Sequence, residues 1–342
     1  MSNSAFSLPR IAVSAGDPAG IGPEVVAAAL HTPEVRRAAR WTVYGSHEML
    51  CRAAESRGLT PDWWRAPPGA PLEHTEGRDV VVVDQPHPDI RTGQDSAATG
   101  EAGFRAVESA IAAARDAQAP AAAVVTAPIS KNAWHLAGRR SFPGHTELLA
   151  SRFRAKRTVM AFESPVMRVA LATSHLPLME LRNALTIGRV FDTIDLAHGF
   201  CRALGVREPR VAVCGLNPHA GEQGLLGDED QRLIAPAIRA AVEQGISASG
   251  PFPADTVFRA ARLDGRPSFD IVVAMYHDQG LIPVKLLAFE SAVNVTLGLG
   301  VWRTSPDHGT AYDIAGRGRA DPSSMIAAMR LAAKLAGTPS PT

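Results

Sequence analysis

Apolar positions along the chain follow two alternating rhythms. Short β-branched runs are followed by longer stretches in which apolar residues recur at helical spacing. The runs predict strands over 11–15, 41–44, 80–83, 122–126, 158–162, 168–173, 210–214, 269–275 and 293–297. The helical spacing predicts helices over 23–30, 103–117, 187–204, 229–243 and 323–335. In the third helix Ile187, Val190, Phe191, Ile194, Ala197, Cys201 and Leu204 form one stripe, with Thr186 placed as N-cap, so one face should pack on a sheet. This alternation predicts an α/β fold with a mostly parallel sheet, and the strands are too many for one small sheet. Segment 61–71, with Trp63, Trp64 and its prolines, reads as a loop or subdomain join, because proline lacks a backbone donor and restricts its predecessor. The paired tryptophans read as packing residues. No fixed-period repeat is visible, which excludes solenoids and propellers.

A length of 342 residues suits two domains. Lys plus Arg number 35 against 34 Asp plus Glu, so the chain lacks the basic excess of a nucleic-acid partner. The longest apolar runs, such as 80–83, fall far short of a membrane span. Residues 1–10 lack the charged and apolar regions of a signal peptide, so the expected home is cytoplasmic. Cys51, Cys201 and Cys214 form no CxxC pair and are odd in number, which argues against a disulfide framework or zinc knuckle. Cys201 and Cys214 read as small buried hydrophobes.

The residues with chemical potential cluster just after strand ends, where open α/β sheets place ligands. The segment 16–24, GDPAGIGPE, joins the first strand to a helix; it is either a tight turn or a ligand loop, and it matches neither GxGxxG nor a Walker loop. His175, His219 and His277 each follow a different strand, and imidazoles converging from separate strand ends suit zinc or another divalent transition metal. A lone histidine is more often a satisfied polar residue; the repeated strand-end context is what singles out these three. No HExxH or GxSxG motif is present. His145 and Thr146 open a helical run where backbone donors could meet a phosphate, although a capping turn would explain Thr146 and Glu147 as well. Lys285, Asn294 and Arg303, nine residues apart, could supply charge and orientation for a phosphorylated substrate, or simply solvate a surface.

The segments GDPAGIGPE, TAPISK, FPGHTE, ATSHLPL, GLNPHAGE, FPADTVF, YHDQGLIPVK, VNVTLGL and RTSPDHGTAYDIAGRG occur in the order found in the 4-hydroxythreonine-4-phosphate dehydrogenase family, which the chain closely resembles over about 10–330. The resemblance implies two α/β/α domains around a central cleft, like isocitrate and isopropylmalate dehydrogenases. The expected division is a cofactor-side domain of 1–130 with 290–342 and a metal, substrate and dimerisation domain of 131–289. It further implies oxidation of 4-phosphohydroxy-L-threonine with NAD, or NADP, during pyridoxine 5'-phosphate biosynthesis. His175, His219 and His277 would hold one divalent ion, zinc first and magnesium or cobalt as alternatives. His145, Thr146, Lys285, Asn294 and Arg303 would bind a small phosphorylated hydroxy-amino-acid. Asp313 and Gly316 would face the cofactor, Asp255 would lie at or near the site, and Lys285 is the candidate base. The implied assembly is a homodimer whose metal site draws on both subunits. Gly300-Val301-Trp302 departs from the proline-led pattern common in the family before Arg303, which touches substrate preference. The alternatives are a paralogous dehydrogenase acting on 4-phospho-erythronate, threonate or another hydroxy acid, a non-catalytic phosphate-binding module, and a metal hydrolase that needs no nicotinamide.

Overall fold

The computed structural model describes residues 8–70, 77–87 and 89–342. Residues 1–7 of the amino-terminal segment 1–10 and Pro71 of the predicted loop lie outside the described residues. The strands are β1 (Arg10–Ser14), β2 (Arg40–Gly45), β3 (Trp64–Ala66), β4 (Val80–Asp84), β5 (Ala123–Thr126), β6 (Val159–Glu163), β7 (Arg168–Leu171), β8 (Val211–Cys214), β9 (Ala248–Phe252), β10 (Ile271–Ala274), β11 (Val293–Leu297) and β12 (Trp302–Pro306). Every predicted strand is present. The chain forms two compact units, Met1–Arg154 with Val301–Gly337, and Ala155–Gly300 with Thr338–Thr342. Relative to the expected division, 131–154 joins the first unit, and 290–300 and the terminal 338–342 join the second. Local packing explains the two longer shifts. Helix Lys131–Leu136 presses so closely on helix Ala97–Ala114 that a Cβ on Gly100 would collide with Ala133 backbone, and β11 pairs along its length with β6.

In the first unit the strand order is β3-β4-β2-β1-β5-β12, all parallel. Strands buried on both faces need apolar side chains throughout, and β4 is buried from Val80 to Asp84. Because the strands are parallel, the segments that follow them emerge along one edge. Helix Ala97–Ala114 covers one face and starts in a capping box, with Ser96 and Thr99 exchanging side-chain-to-backbone hydrogen bonds.

In the second unit the order is β11-β6-β7-β10-β8-β9, with β6 antiparallel to both neighbours and the rest parallel. The core gathers Phe162, Met167, Leu171, Val272 and Val284. Helix Ile187–Ala203 forms as predicted with Thr186 accepting from the Arg189 N–H at 3.1 Å, and Val190, Ile194, Ala197 and Cys201 of the stripe are fully buried, but Ile187 at its start is exposed and Phe191 is half-buried. The predicted helix over 229–243 opens as a single π-turn, Asp230–Ile234, before continuing as Ala235–Glu243. Cys201 and Cys214 are buried, and burial pushes both thiols up to about 12.

Three strands depart from the sequence expectation. β3 lies inside the predicted loop 61–71, as a three-residue edge strand on β4 too short to show a period. Trp64 is half exposed there, with the Arg78 guanidinium 4.5 Å above its ring. β9 carries Pro251 and sits at the other edge. β12 is fully buried although it contains Arg303. Among the described residues no helix is long and apolar enough to cross a membrane.

Candidate active site

The site residues predicted from sequence fall into both units: His145, Thr146, Arg303, Asp313 and Gly316 in the first, and His175, His219, Asp255, His277, Lys285 and Asn294 in the second.

In the first unit Arg303 projects from β12 with only 3% of its surface exposed, and its guanidinium donates to the Thr126 hydroxyl at 3.1 and 2.6 Å. Burial lowers its pKa to about 10, with Glu147 opposing. His145 begins helix His145–Phe153 behind Gly144, which is the N-cap residue and offers no side-chain cap, so the first-turn N–H groups depend on another partner. Burial, then Arg303 and Lys131, hold the His145 imidazole well below its ordinary value, so it is neutral at pH 7. Its Nε2 is inaccessible to solvent and lacks a hydrogen-bond partner among the described residues. A buried cation, an orphaned imidazole nitrogen and a helix N-terminus together suit an oxyanion. Thr146, half-buried, is the second residue of the same helix.

The 16–24 segment turns out to be a clamp. Asp17, 1% exposed, accepts from the Ala19 N–H at 2.9 Å and from the Tyr312 hydroxyl at 2.7 Å; burial raises its pKa and these bonds oppose the rise. Glu24, 2% exposed, accepts from the Gly316 N–H at 2.5 Å, and the Ile21 N–H donates to the Thr310 carbonyl at 2.9 Å. Gly16 at φ 76° takes a left-handed turn, where a Cβ would also strike the Pro128 carbonyl. The loop after β12 is thereby pinned at Thr310, Tyr312 and Gly316. Asp313 stays exposed, and the Gly316 N–H is already spoken for by Glu24, which leaves a cofactor only the outer surface of that residue. Asp17, Glu24 and Tyr312 are functional candidates that sequence reasoning left without a role.

In the second unit the parallel strands β7, β10, β8 and β9 lie side by side, and His175, His277, His219 and Asp255 follow them in that order along one edge. His175 and His277 come from adjacent strands, and their ring centroids are 5.5 Å apart at 44°. His277 Nδ1 lies 2.8 Å from Asp278 Oδ1, a carboxylate contact of the kind that orients a metal-binding imidazole. His219 sits beyond β8 in a run of left-handed backbone, with positive φ at His219, Ala220, Gly221, Glu222 and Gln223. Each L-residue in that conformation costs roughly 1–2 kcal/mol. Asp230, fully buried, offsets this by accepting from the Leu216 N–H at 2.8 Å, the Asn217 N–H at 3.1 Å and the Asn217 amide at 2.9 Å. Strain that survives because its surroundings over-determine it points to function. Among the described residues no three His, Cys, Asp or Glu side chains are grouped closely enough to hold a metal ion. The donor types still fit one, as two half-exposed or exposed imidazoles face each other and a third follows the next strand.

Lys285 and Asn294 stand apart from these histidines. Helix His277–Ala288 runs back from the histidine edge to β11, so Lys285, eight residues on, is about 12 Å along the axis from His277. The sheet register sets Asn294 level with Phe162, Val169 and Val272, well inside that edge. Asn294 Oδ1 is buried without a partner among the described residues, and the Lys285 ammonium lies 4.9 Å from the Phe289 ring centroid. Asp255 is exposed in the first turn of helix Ala254–Ala260, where a carboxylate suits the helix dipole, and it makes no hydrogen bond or ion pair among the described residues.

Known proteins were compared with this chain. The family model described as pyridoxal phosphate biosynthetic protein PdxA matches residues 37–332. The chain belongs to the PdxA family. Within it, a 4-hydroxythreonine-4-phosphate dehydrogenase from Geobacter metallireducens is 45% identical over 333 residues, 96% of each chain. A D-threonate 4-phosphate dehydrogenase from Cupriavidus necator is 42% identical over 334 residues, 96% of this chain and 98% of that one. The crystal structure of 4-hydroxythreonine-4-phosphate dehydrogenase from Klebsiella pneumoniae superposes with a TM-score of 0.84 at 40% identity, covering 98% of this chain and 100% of the other. These PdxA-family relatives carry dehydrogenase names, and the Klebsiella structure shares the α/β architecture described above.

Proposed function

We propose that the protein oxidises 4-phosphohydroxy-L-threonine with NAD to 2-amino-3-oxo-4-phosphooxybutanoate, which loses carbon dioxide to give 3-amino-2-oxopropyl phosphate on the route to pyridoxine 5'-phosphate. The observation that carries this reading is the buried Arg303 beside His145, whose Nε2 lacks a partner. A substrate phosphate would accept from His145 Nε2 and lie in the field of the Arg303 cation, and the first-turn N–H groups around Thr146 would add donors. A divalent ion held by His175, His219 and His277 would supply Lewis-acid stabilisation at the substrate hydroxyl, and NAD would accept hydride. Asp313 and Gly316, on the loop pinned by Asp17 and Glu24, would line the cofactor. Asn294 Oδ1 would accept from a substrate donor, Lys285 would take the hydroxyl proton, and Asp255 would sit at the histidine edge.

The distance along helix His277–Ala288 between His277 and Lys285 supports a homodimer, placed in the cytoplasm as the sequence leads one to expect, in which Lys285 of one copy serves the histidines of the other. Ile282, Leu286 and Phe289 are 67%, 81% and 66% exposed at i, i+4, i+7 spacing, an apolar stripe suited to a second copy. A second reading, oxidation of D-threonate or erythronate 4-phosphate, is favoured by the Cupriavidus relative's name and similar identity. Both are tested by following NAD reduction and carbon dioxide release with each substrate on metal-loaded enzyme. Preference for 4-phosphohydroxy-L-threonine of at least tenfold in kcat/KM is expected. Preference for D-threonate 4-phosphate would install the second reading, and no reduction of NAD with either would overturn both.

A further inference from the structure

Helix Ala97–Ala114 packs on its sheet through small residues. Ala106 and Ala110 of the helix share one core cluster with Ala12 of β1 and Ala66 of β3, so this part of the layer interface is built largely of small side chains. A cavity of about 530 Å³ lies there, walled by Tyr44 and Val83 from the sheet, Ser109 and Ala113 from the helix, and Ala70. Its volume falls within the range of ordinary small-molecule sites, roughly 300–1,000 Å³. None of the residues assigned above to substrate, metal or cofactor lines it.

Three polar groups on its wall make no hydrogen bond among the described residues: the Tyr44 hydroxyl, the Arg10 guanidinium and the buried Gln85 Oε1, whose own Nε2 donates to the Ser109 hydroxyl at 2.7 Å. Tyr44 is 6% exposed, yet its hydroxyl makes no hydrogen bond among the described residues. Burial pushes the phenol up to about 12, with Arg10 opposing and Asp116 adding to the rise, so at neutral pH it is a hydrogen-bond donor near both a cation and a carboxylate. Arg10 is half-buried, also lines the cavity, and makes no side-chain hydrogen bond or ion pair among the described residues. Of the other charged residues of the wall, Asp116 acts electrostatically on both Tyr44 and Arg10 while its carboxylate is held by its own turn, and Arg105 is held by the backbone. The Asp116 carboxylate accepts the N–H groups of Gln118 and Ala119 at 2.8 and 3.0 Å, and the Arg105 guanidinium donates to the Pro86 carbonyl at 3.2 Å.

We propose that this cavity binds a small aromatic carboxylate, its ring between the alanine-lined helix flank and the sheet and its carboxylate accepting from the Tyr44 hydroxyl and the Arg10 guanidinium. The apolar walls select a ring over a sugar, and the two unpartnered donors select an anion over a neutral isostere. The site is separate from the dehydrogenase reaction, so its ligand is neither substrate nor cofactor.

The probe is 2-naphthoate, titrated into the full-length protein and followed by its own fluorescence and by calorimetry. Saturable binding at one site per chain is expected, with 2-naphthamide at least about tenfold weaker. Arg10→Gln should weaken naphthoate about tenfold while leaving the amide unchanged, and Ala113→Leu, which fills the slot, should abolish binding of both. Absence of saturable binding to folded wild-type protein overturns the proposal. So does naphthoate binding that is indifferent to Ala113→Leu or, should that variant fail to fold, to Arg10→Gln.

Discussion

In the first unit the loop after β12 is held from outside, by Asp17 and Glu24 on a segment nearly three hundred residues earlier in the chain. In the second, the turn after β8 is held by Asp230, thirteen or fourteen residues downstream in the helix that follows. The backbones differ accordingly. The long-range clamp grips a loop with positive φ at Ala311, Gly316 and Gly318, mostly glycine, whereas the short-range clamp restrains five successive left-handed residues of which only Gly221 is glycine. The first arrangement ties distant segments together with little strain, and the second spends its carboxylate on holding a costly conformation that presents His219.

The sharpest way to break this contrast is Asp230→Ala. It removes the acceptor for two backbone N–H groups while the left-handed run remains strained, so a loss of about 3 kcal/mol in denaturant unfolding is expected. Faster amide exchange should appear at Leu216 and Asn217. A loss below about 1 kcal/mol would mean that the turn holds itself.

Tyr312→Phe tests the other side with a smaller effect, about 1 kcal/mol, because Glu24 still grips Gly316. Its mark is local: proteolysis within 309–320 should quicken about fivefold while the global midpoint moves little. Equal protection in both proteins would show that the hydroxyl contributes nothing to the loop.

The smallest effect is one of pH. His145 has a folded pKa well below the ordinary 6.5, so the unfolded chain binds a proton that the folded chain refuses. Its contribution to stability is complete above about 6.5 and is lost as pH falls through the depressed value. His145→Gln should therefore flatten the fall in thermal midpoint between pH 6.5 and 5, and an unchanged slope would assign that fall to other groups.

The parallel α/β organisation was legible because strands buried on both faces leave unbroken apolar runs, as β4 does. β12 escaped notice since Arg303 interrupts its apolar pattern, and the same residue makes it chemically interesting. Helix His277–Ala288 was hidden by Pro283 and by its start at His277, read there as a ligand rather than as the first residue of a helix. The three histidines were legible from their places after strands; the left-handed turn that carries His219 was not, because nothing in GLNPHAGE announces non-glycine residues at positive φ. Asp230 did leave a trace: it occupies a position in register with the buried Ile234, Ala237, Ile238 and Ala241, where an acidic residue has no reason to be unless it is satisfied from elsewhere.

The run from His219 to Gln223 also has a meaning in terms of chirality. Over those residues the main chain turns with the hand of a mirror-image protein. Ribosomal synthesis supplies only one residue indifferent to that hand, and it stands at Gly221 alone, so the other four positions can be relieved by D-amino acids but by no L-side chain.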